Sequence, residues 1–269
     1  MNGQPSQASS KSRRRRRRRR GKGAKLDNTP VSPVSGIVAL TKEGHGFLRD
    51  PKRDCQIQPA DPYLHRDLVQ KYGLRAGQRI DGHVGKNKRG PAPMVATIDK
   101  VEGLDPELAK ETPRLEDLTV IGPEDAFKVV GAEHQDVTLR VVDLITPIGM
   151  GQRALIVAPP RTGKTVILQK IAQSITRFHP EVSLLVCLVD ERPEEATDMR
   201  RAVQGEVYAS TNDMPAANHV AMTELVTSRA RWLCSMGKAV VVLIDSLTRL
   251  GRAYNIEARG SGRTPACGL

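Results

Sequence analysis

The 269 residues suffice for one large domain or two smaller ones, and a hydrophobic share of 39% is ordinary for a chain that buries a core. The longest aliphatic run, 239–244, is far short of the roughly 20 residues of a membrane helix, and no apolar stretch follows the N-terminal charges as a signal peptide requires, so a cytoplasmic protein with no membrane partner is expected. The net charge of +12 describes a tail: Lys11, Arg13 to Arg20, Lys22 and Lys25 place eleven positive charges and no negative one in the first 25 residues, leaving the rest close to neutral.

Residues 1–34 are rich in Ser, Gln, Pro, Gly and Arg, with little apolar surface to offset the entropy of ordering, and are expected to be disordered. The arginine run suits phosphate binding by counterion release, or is simply solvated. From 35 to 103 short apolar strands at 37–40, 47–49, 79–84 and 94–101 alternate with Gly, Pro, Asp and Asn, the pattern of a small OB-type barrel. Residues 104–123, charged and punctuated by Pro and Gly, read as a linker.

Beyond it the rhythm becomes strand and helix in alternation. Strands are expected at 154–158, 183–190, near 207 and at 239–244, and helices at 163–177, 193–204 and 215–236. Continuous apolar strands imply a parallel sheet covered on both faces, so 124–269 is expected to be an α/β nucleotide-binding domain. The cysteines at 55, 187, 234 and 267 have no metal-ligand or disulfide spacing and read as reduced thiols.

The sharpest motif is Ala158-Pro-Pro-Arg-Thr-Gly163-Lys164-Thr165, between an expected strand and an expected helix, with Ala158 in place of the usual first Gly of a P-loop. Amides at the helix start cradle phosphate, Gly163 permits close approach, Lys164 supplies a cation and Thr165 a hydroxyl for Mg²⁺. Asp245, closing the strand 240–244, is the expected second metal holder, with helix N-capping its structural alternative. Glu191, closing the strand before it, is placed to act as general base, whereas Glu194 and Glu195 fall in a first helical turn, where their charge favours the dipole.

These residues carry a resemblance. Pro147-Ile-Gly149-Met-Gly151-Gln-Arg153, the P-loop, Asp190-Glu-Arg-Pro-Glu-Glu195, Gly205-Glu-Val207 with Ala209-Ser-Thr211, and Asp245-Ser-Leu-Thr-Arg-Leu250 with Arg252-Ala-Tyr-Asn255 resemble, in order, the Rho family of bacterial transcription termination factors. The resemblance implies a RecA-like, RNA-dependent ATPase and 5′-to-3′ helicase that works as a homohexamer and releases transcripts from the RNA polymerase elongation complex. It implies ATP contacts at Gly149, Met150, Gly151, Gln152, Arg153 and Ala154 and at Arg161, Thr162, Gly163, Lys164, Thr165 and Val166, with Arg192 near the phosphates. Catalysis falls on Glu191 and Lys164, and Mg²⁺ on Thr165 and Asp245. Arg161 stands where the family commonly has Lys.

In the barrel, Gly44-His45-Gly46-Phe47-Leu48-Arg49 and Asp61-Pro62-Tyr63 resemble the family's primary site for single-stranded, pyrimidine-rich RNA, where aromatic rings stack on bases. His45 stands where an aromatic is frequent. The alternatives are a rotary-type ATPase subunit, a structural collar in place of an RNA face, and a non-enzymatic RNA-binding module. The resemblance departs at about Pro265, and the later strands, arginine finger and pore loops of such a motor are not encoded in this sequence, so weak ATP hydrolysis by this polypeptide alone is expected.

Overall fold

A computed structural model describes residues 32–87, 92–131, 136–159 and 162–258. The arginine run, Arg161 and the 260–269 segment lie outside the described residues.

The first body is a closed barrel. Its elements are β1 (Ser32–Leu40), β2 (Gly46–Arg49), β3 (Tyr63–Leu64), the helix α1 (Arg66–Tyr72), β4 (Arg79–Gly85) and β5 (Met94–Val101). The strands close in the order β1-β2-β3-β5-β4, antiparallel except for the β3–β5 pair. Strand alternation, with two register shifts in the β4–β5 pair that space the inward residues of β5 three apart, sends Val38, Leu48, Leu64, Ile80, Val84, Val95, Ile98 and Val101 into one core. The sequence indicates four of these strands. β3, two residues long, is too short to show a period, and α1 is set by its caps: His65 accepts the Asp67 amide at its start, and Gly73 takes the left-handed conformation at its end.

The segment that reads as a linker begins with the helix α2 (Pro106–Lys110), started by Pro106 and capped by Asp105, whose Ala109 is buried in the barrel core. Arg75 then fastens the chain by donating to the carbonyls of Pro113, at 3.0 Å, and Thr112, at 2.6 Å.

The second body contains α3 (Val137–Ile145), α4 (Lys164–Phe178), β6 (Ser183–Glu191), α5 (Pro193–Ala202), β7 (Glu206–Thr211), α6 (Ala216–Ser235), β8 (Val240–Asp245) and α7 (Leu247–Glu257). Its described strands form a parallel sheet in the order β7-β6-β8. β6 is buried on both faces, which is why it reads as an unbroken apolar run. Leu185, Cys187 and Val189 pack with Met222, Leu225 and Val226 of α6, while Leu184, Val186 and Leu188 pack with Ala172 of α4 and with Ala196 and Met199 of α5. Burial pushes the Cys187 thiol up to about 11 and the Cys55 thiol up to about 12, so both behave as small apolar side chains.

The expected strand at 154–158 is not formed. These residues run without regular structure, with Leu155 70% and Val157 86% exposed. A strand persists only where a neighbour takes up its amides and carbonyls, and no described strand pairs with 154–158; the edge of β8 away from β6 is likewise unpaired among the described residues. For the same reason Val240–Ile244 are half-buried rather than covered on both faces.

The two bodies share side chains. Trp232 of α6 inserts into the barrel core, and Ile37 and Cys55 of the barrel insert into the core beneath the sheet. Gly77, at φ +86, lies so close to α6 that a Cβ would stand 2.2 Å from the Arg229 amide nitrogen. Only glycine fits there.

Candidate nucleotide site and nucleic-acid interface

The nucleotide site grows from the start of α4. Gly163, at φ +93, is its N-cap, and no side chain caps the helix. Its first amides are therefore available to an anion, and the space where a Gly163 side chain would sit is open. Thr162 shapes the loop by donating its hydroxyl to the Pro159 carbonyl at 2.7 Å. Val166 is half exposed on the same first turn.

Lys164, Thr165 and Asp245 converge although they are about 80 residues apart in sequence. The Lys164 ammonium donates to Asp245 Oδ1, and the Thr165 hydroxyl donates to Asp245 Oδ2 at 3.1 Å. Asp245 is 2% exposed, so its carboxylate is held by these two groups rather than by water. The helix after it is capped by the Ser246 hydroxyl, which leaves Asp245 to the cleft. A buried carboxylate beside a hydroxyl is an oxygen set that fits Mg²⁺, and Lys164 neutralises it here. With nucleotide bound, the cation would rest on Thr165 and Asp245 and polarise the phosphates, releasing Lys164 to them.

Glu191 closes β6, the strand that pairs with β8 through Leu188 and Asp245, so both carboxylates stand at the same edge of adjacent strands. Burial, then a hydrogen bond shared with Glu195, pushes Glu191 up to about 7 against the pull of the Arg249 guanidinium. That value suits proton transfer near neutral pH. Glu195, expected only to favour the α5 dipole, is thus a partner of the candidate base. Arg249, on α7, donates to the Asp190 carbonyl and lies 3.2 Å from Glu191 Oε2, which accepts no hydrogen bond in this arrangement. Arg249 thereby ties the helix that follows Asp245 to the strand end that carries Glu191. It lies four residues beyond Asp245, and only the folded geometry exposes its role.

Below pH 4.5 Glu191 is protonated in folded and unfolded chains alike. Between there and about 7 the folded chain retains a proton that the unfolded chain has lost, so the Glu191 contribution to stability falls as pH rises through that window. Glu191→Gln is expected to be more stable than wild type by about 1–3 kcal/mol at pH 8, with little difference at pH 4.5. Urea denaturation at both values checks this, and an equal difference at both would contradict it.

The remaining residues expected at the nucleotide are differently placed. Gly149, Met150, Gly151, Gln152 and Arg153 form a turn held to 125–127: Phe127 donates to the Ile148 carbonyl and Met150 to the Asp125 carbonyl, each at 2.7 Å, while Gln152 accepts from the Gly149 amide. Ala154 follows it, exposed, and Arg192 is exposed at the N-cap position of α5.

On the barrel, four rings line one side of β2 and β3. His45 lies 5.8 Å from Phe47 and 5.4 Å from Tyr63, Phe47 lies 5.8 Å from Tyr63, and Tyr63 lies 6.2 Å from His65. His65 is absent from the expected set. Arg49 stands over the Phe47 ring at 5.4 Å and is bonded to Asp61, which also accepts the Gln58 amide at 2.8 Å. Arg49 is therefore fixed at the margin of the rings. Gly44, at φ +85, turns the chain into β2, Gly46 lets β2 lie against β1, and the Pro62 carbonyl accepts the Leu48 amide. The Leu48 side chain belongs to the barrel core, 2% exposed. Within the expected segment it is the one whose side chain faces inward by strand alternation.

Fold and site together define a class: a β-barrel with an aromatic face, joined to a P-loop nucleotide-binding sheet. Residues 34–107 match the family described as Rho termination factor, RNA-binding domain, and residues 138–267 match that described as ATP synthase alpha/beta family, nucleotide-binding domain. The chain resembles transcription termination factor Rho in particular. It is 44% identical to that of Chromobacterium violaceum over 238 residues, 87% of this chain and 57% of the relative. It is 45% identical to that of Streptomyces coelicolor, over 87% of this chain and 54% of the relative, and 43% identical to that of Aquifex aeolicus, over 91% and 57%. The chain spans about half the length of the curated relatives it matches. A solved structure of the ATP synthase subunit NeqB from Nanoarcheaum equitans superimposes on 52% of this chain and 34% of its own at a TM-score of 0.41 and 16% identity, too loose a likeness to carry an argument.

Proposed function

We propose that this chain is the RNA-capturing and ATP-binding part of a Rho-type RNA translocase, which terminates transcription by releasing nascent RNA from the RNA polymerase elongation complex. The barrel takes single-stranded pyrimidine-rich RNA on His45, Phe47 and Tyr63, with Arg49 and Asp61 at the margin. The sheet takes ATP and Mg²⁺ on Lys164, Thr165 and Asp245, with Glu191 polarising the attacking water in a cytoplasmic homohexamer. The observation that carries the reading is the fixed junction: Arg229 and Trp232, on the helix packed beneath the nucleotide-bearing sheet, are buried against the barrel that bears the rings. A collar with no RNA role would not need a ring face in contact with solvent.

Base stacking on an aromatic ring is worth roughly 1–3 kcal/mol by alanine substitution. Phe47→Ala is therefore expected to weaken binding of oligocytidylate RNA by about 5- to 100-fold while MgATP binding persists. Fluorescence anisotropy with labelled RNA, beside calorimetry with ATP, separates the two. Wild-type protein that ignores RNA would exclude the reading, and so would equal binding by Phe47→Ala.

A further inference from the structure

The ring face continues past the residues assigned to RNA above. Leu64, 0% exposed, projects into the core, while Tyr63 before it and His65, an extended residue just past the end of β3, bring their rings together outside it. The His65 ring lies 6.2 Å from Tyr63 at an interplanar angle of 73°, and its side chain is 24% exposed. Its Nδ1 accepts the Asp67 amide at 3.2 Å as the N-cap of α1. That bond fixes the ring before any ligand arrives, so a base stacking on it meets a surface that has already lost its rotamer freedom. The spacing is comparable to those among His45, Phe47 and Tyr63, which makes a row long enough for one more base than those three rings serve.

We propose that His65 forms an additional base subsite, in which a nucleobase of single-stranded RNA stacks on the exposed face of the His65 ring beside Tyr63. The inference rests on the barrel being an RNA face, and the test below separates the two.

His65 also caps α1, so its removal has a structural consequence that must be kept apart from the loss of the ring. His65→Asn keeps a side-chain acceptor for the Asp67 amide and removes the ring, whereas His65→Phe keeps a ring and removes the acceptor. Binding of labelled oligocytidylates of two to eight nucleotides to the full chain is measured for wild type, both variants and Phe47→Ala. His65→Asn is expected to bind the dinucleotide as wild type does and to lose about 5- to 100-fold on the longer oligomers, the range for one stacked base. His65→Phe is expected to retain the length dependence of wild type despite a lower melting temperature. Wild-type affinity for every length in His65→Asn would overturn the subsite, and so would a loss in His65→Asn that is the same for two nucleotides as for eight. If Phe47→Ala binds normally as well, the RNA face itself is refuted and the subsite with it. If Phe47→Ala alone is impaired, the face stands and His65 is only a cap.

Discussion

Lys164→Met is expected to lower affinity for MgATP by about 10- to 100-fold, because a hydrogen-bonded charge contributes roughly 1.5–3 kcal/mol. The variant also leaves Asp245, 2% exposed, with only the Thr165 hydroxyl among the two partners it has now. A buried carboxylate deprived of its cation costs about 1–3 kcal/mol, so the unliganded variant should unfold at lower urea concentration. Asp245→Asn behaves differently. It retains the shape of the site and an acceptor for Lys164, so the unliganded protein should lose little stability, while the dependence of ATP affinity on Mg²⁺ should largely vanish. Calorimetric titration with ATP, with and without Mg²⁺, distinguishes the variants. Wild-type MgATP affinity in Lys164→Met would remove the P-loop assignment.

Arg229→Met is expected to be strongly destabilising, by about 3–5 kcal/mol, the cost of breaking a buried ion pair from one side. Arg229 is 4% exposed. Its guanidinium donates to Glu206 at 2.8 and 2.9 Å, to Glu102 at 3.2 to 3.3 Å, and to the Gly77 carbonyl at 3.4 Å. Two of these acceptors belong to the barrel body and one to β7, so this residue joins the barrel to the sheet. Burial works against its charge, but the Glu206 hydrogen bonds and the charges of Glu206 and Glu102 outweigh it and its pKa rises. Glu206 is likewise opposed by burial and drawn below the ordinary carboxylate value by Arg229. The contribution of Glu206 is thus fully present above pH 4.5 and is lost as pH falls through its depressed folded value. Arg229→Met should therefore differ most from wild type near neutral pH and converge on it in acid. Urea denaturation from pH 3 to 7 reads this, and a difference of under 1 kcal/mol at neutral pH would show the cluster to be incidental. Replacing Arg229, Glu102 and Glu206 together by Met and Gln should recover much of the loss, since no buried charge is then left unpaired.

The order of elements is legible in the sequence because periodicity and punctuation are local. β6, α4, α6 and β5 fall within a residue or two of their expected limits, each being long enough to display its period. β3 and α1 are missed because two residues show no alternation and a seven-residue helix with a histidine cap carries a faint start signal. The segment 154–158 fails in the opposite direction: its apolar run says strand, but a strand is a property of a pair.

The same division holds at the site. Lys164, Thr165 and Asp245 are recognisable one by one, since phosphate and Mg²⁺ chemistry restricts which residue types can serve and in what local order. Their convergence was decided by the β6–β8 pairing, which sets Asp245 beside the start of α4. Arg249 against Glu191, Glu195 beside it, His65 next to Tyr63 and Arg229 joining two bodies are invisible in the sequence. Each is an ordinary polar side chain at an unremarkable spacing. Composition and periodicity set the long elements, because those depend mostly on neighbours within a few residues, while β3, α1 and the fate of 154–158 do not. Which charges lose their water and meet depends on contacts across more than a hundred residues, and only the packed chain determines that.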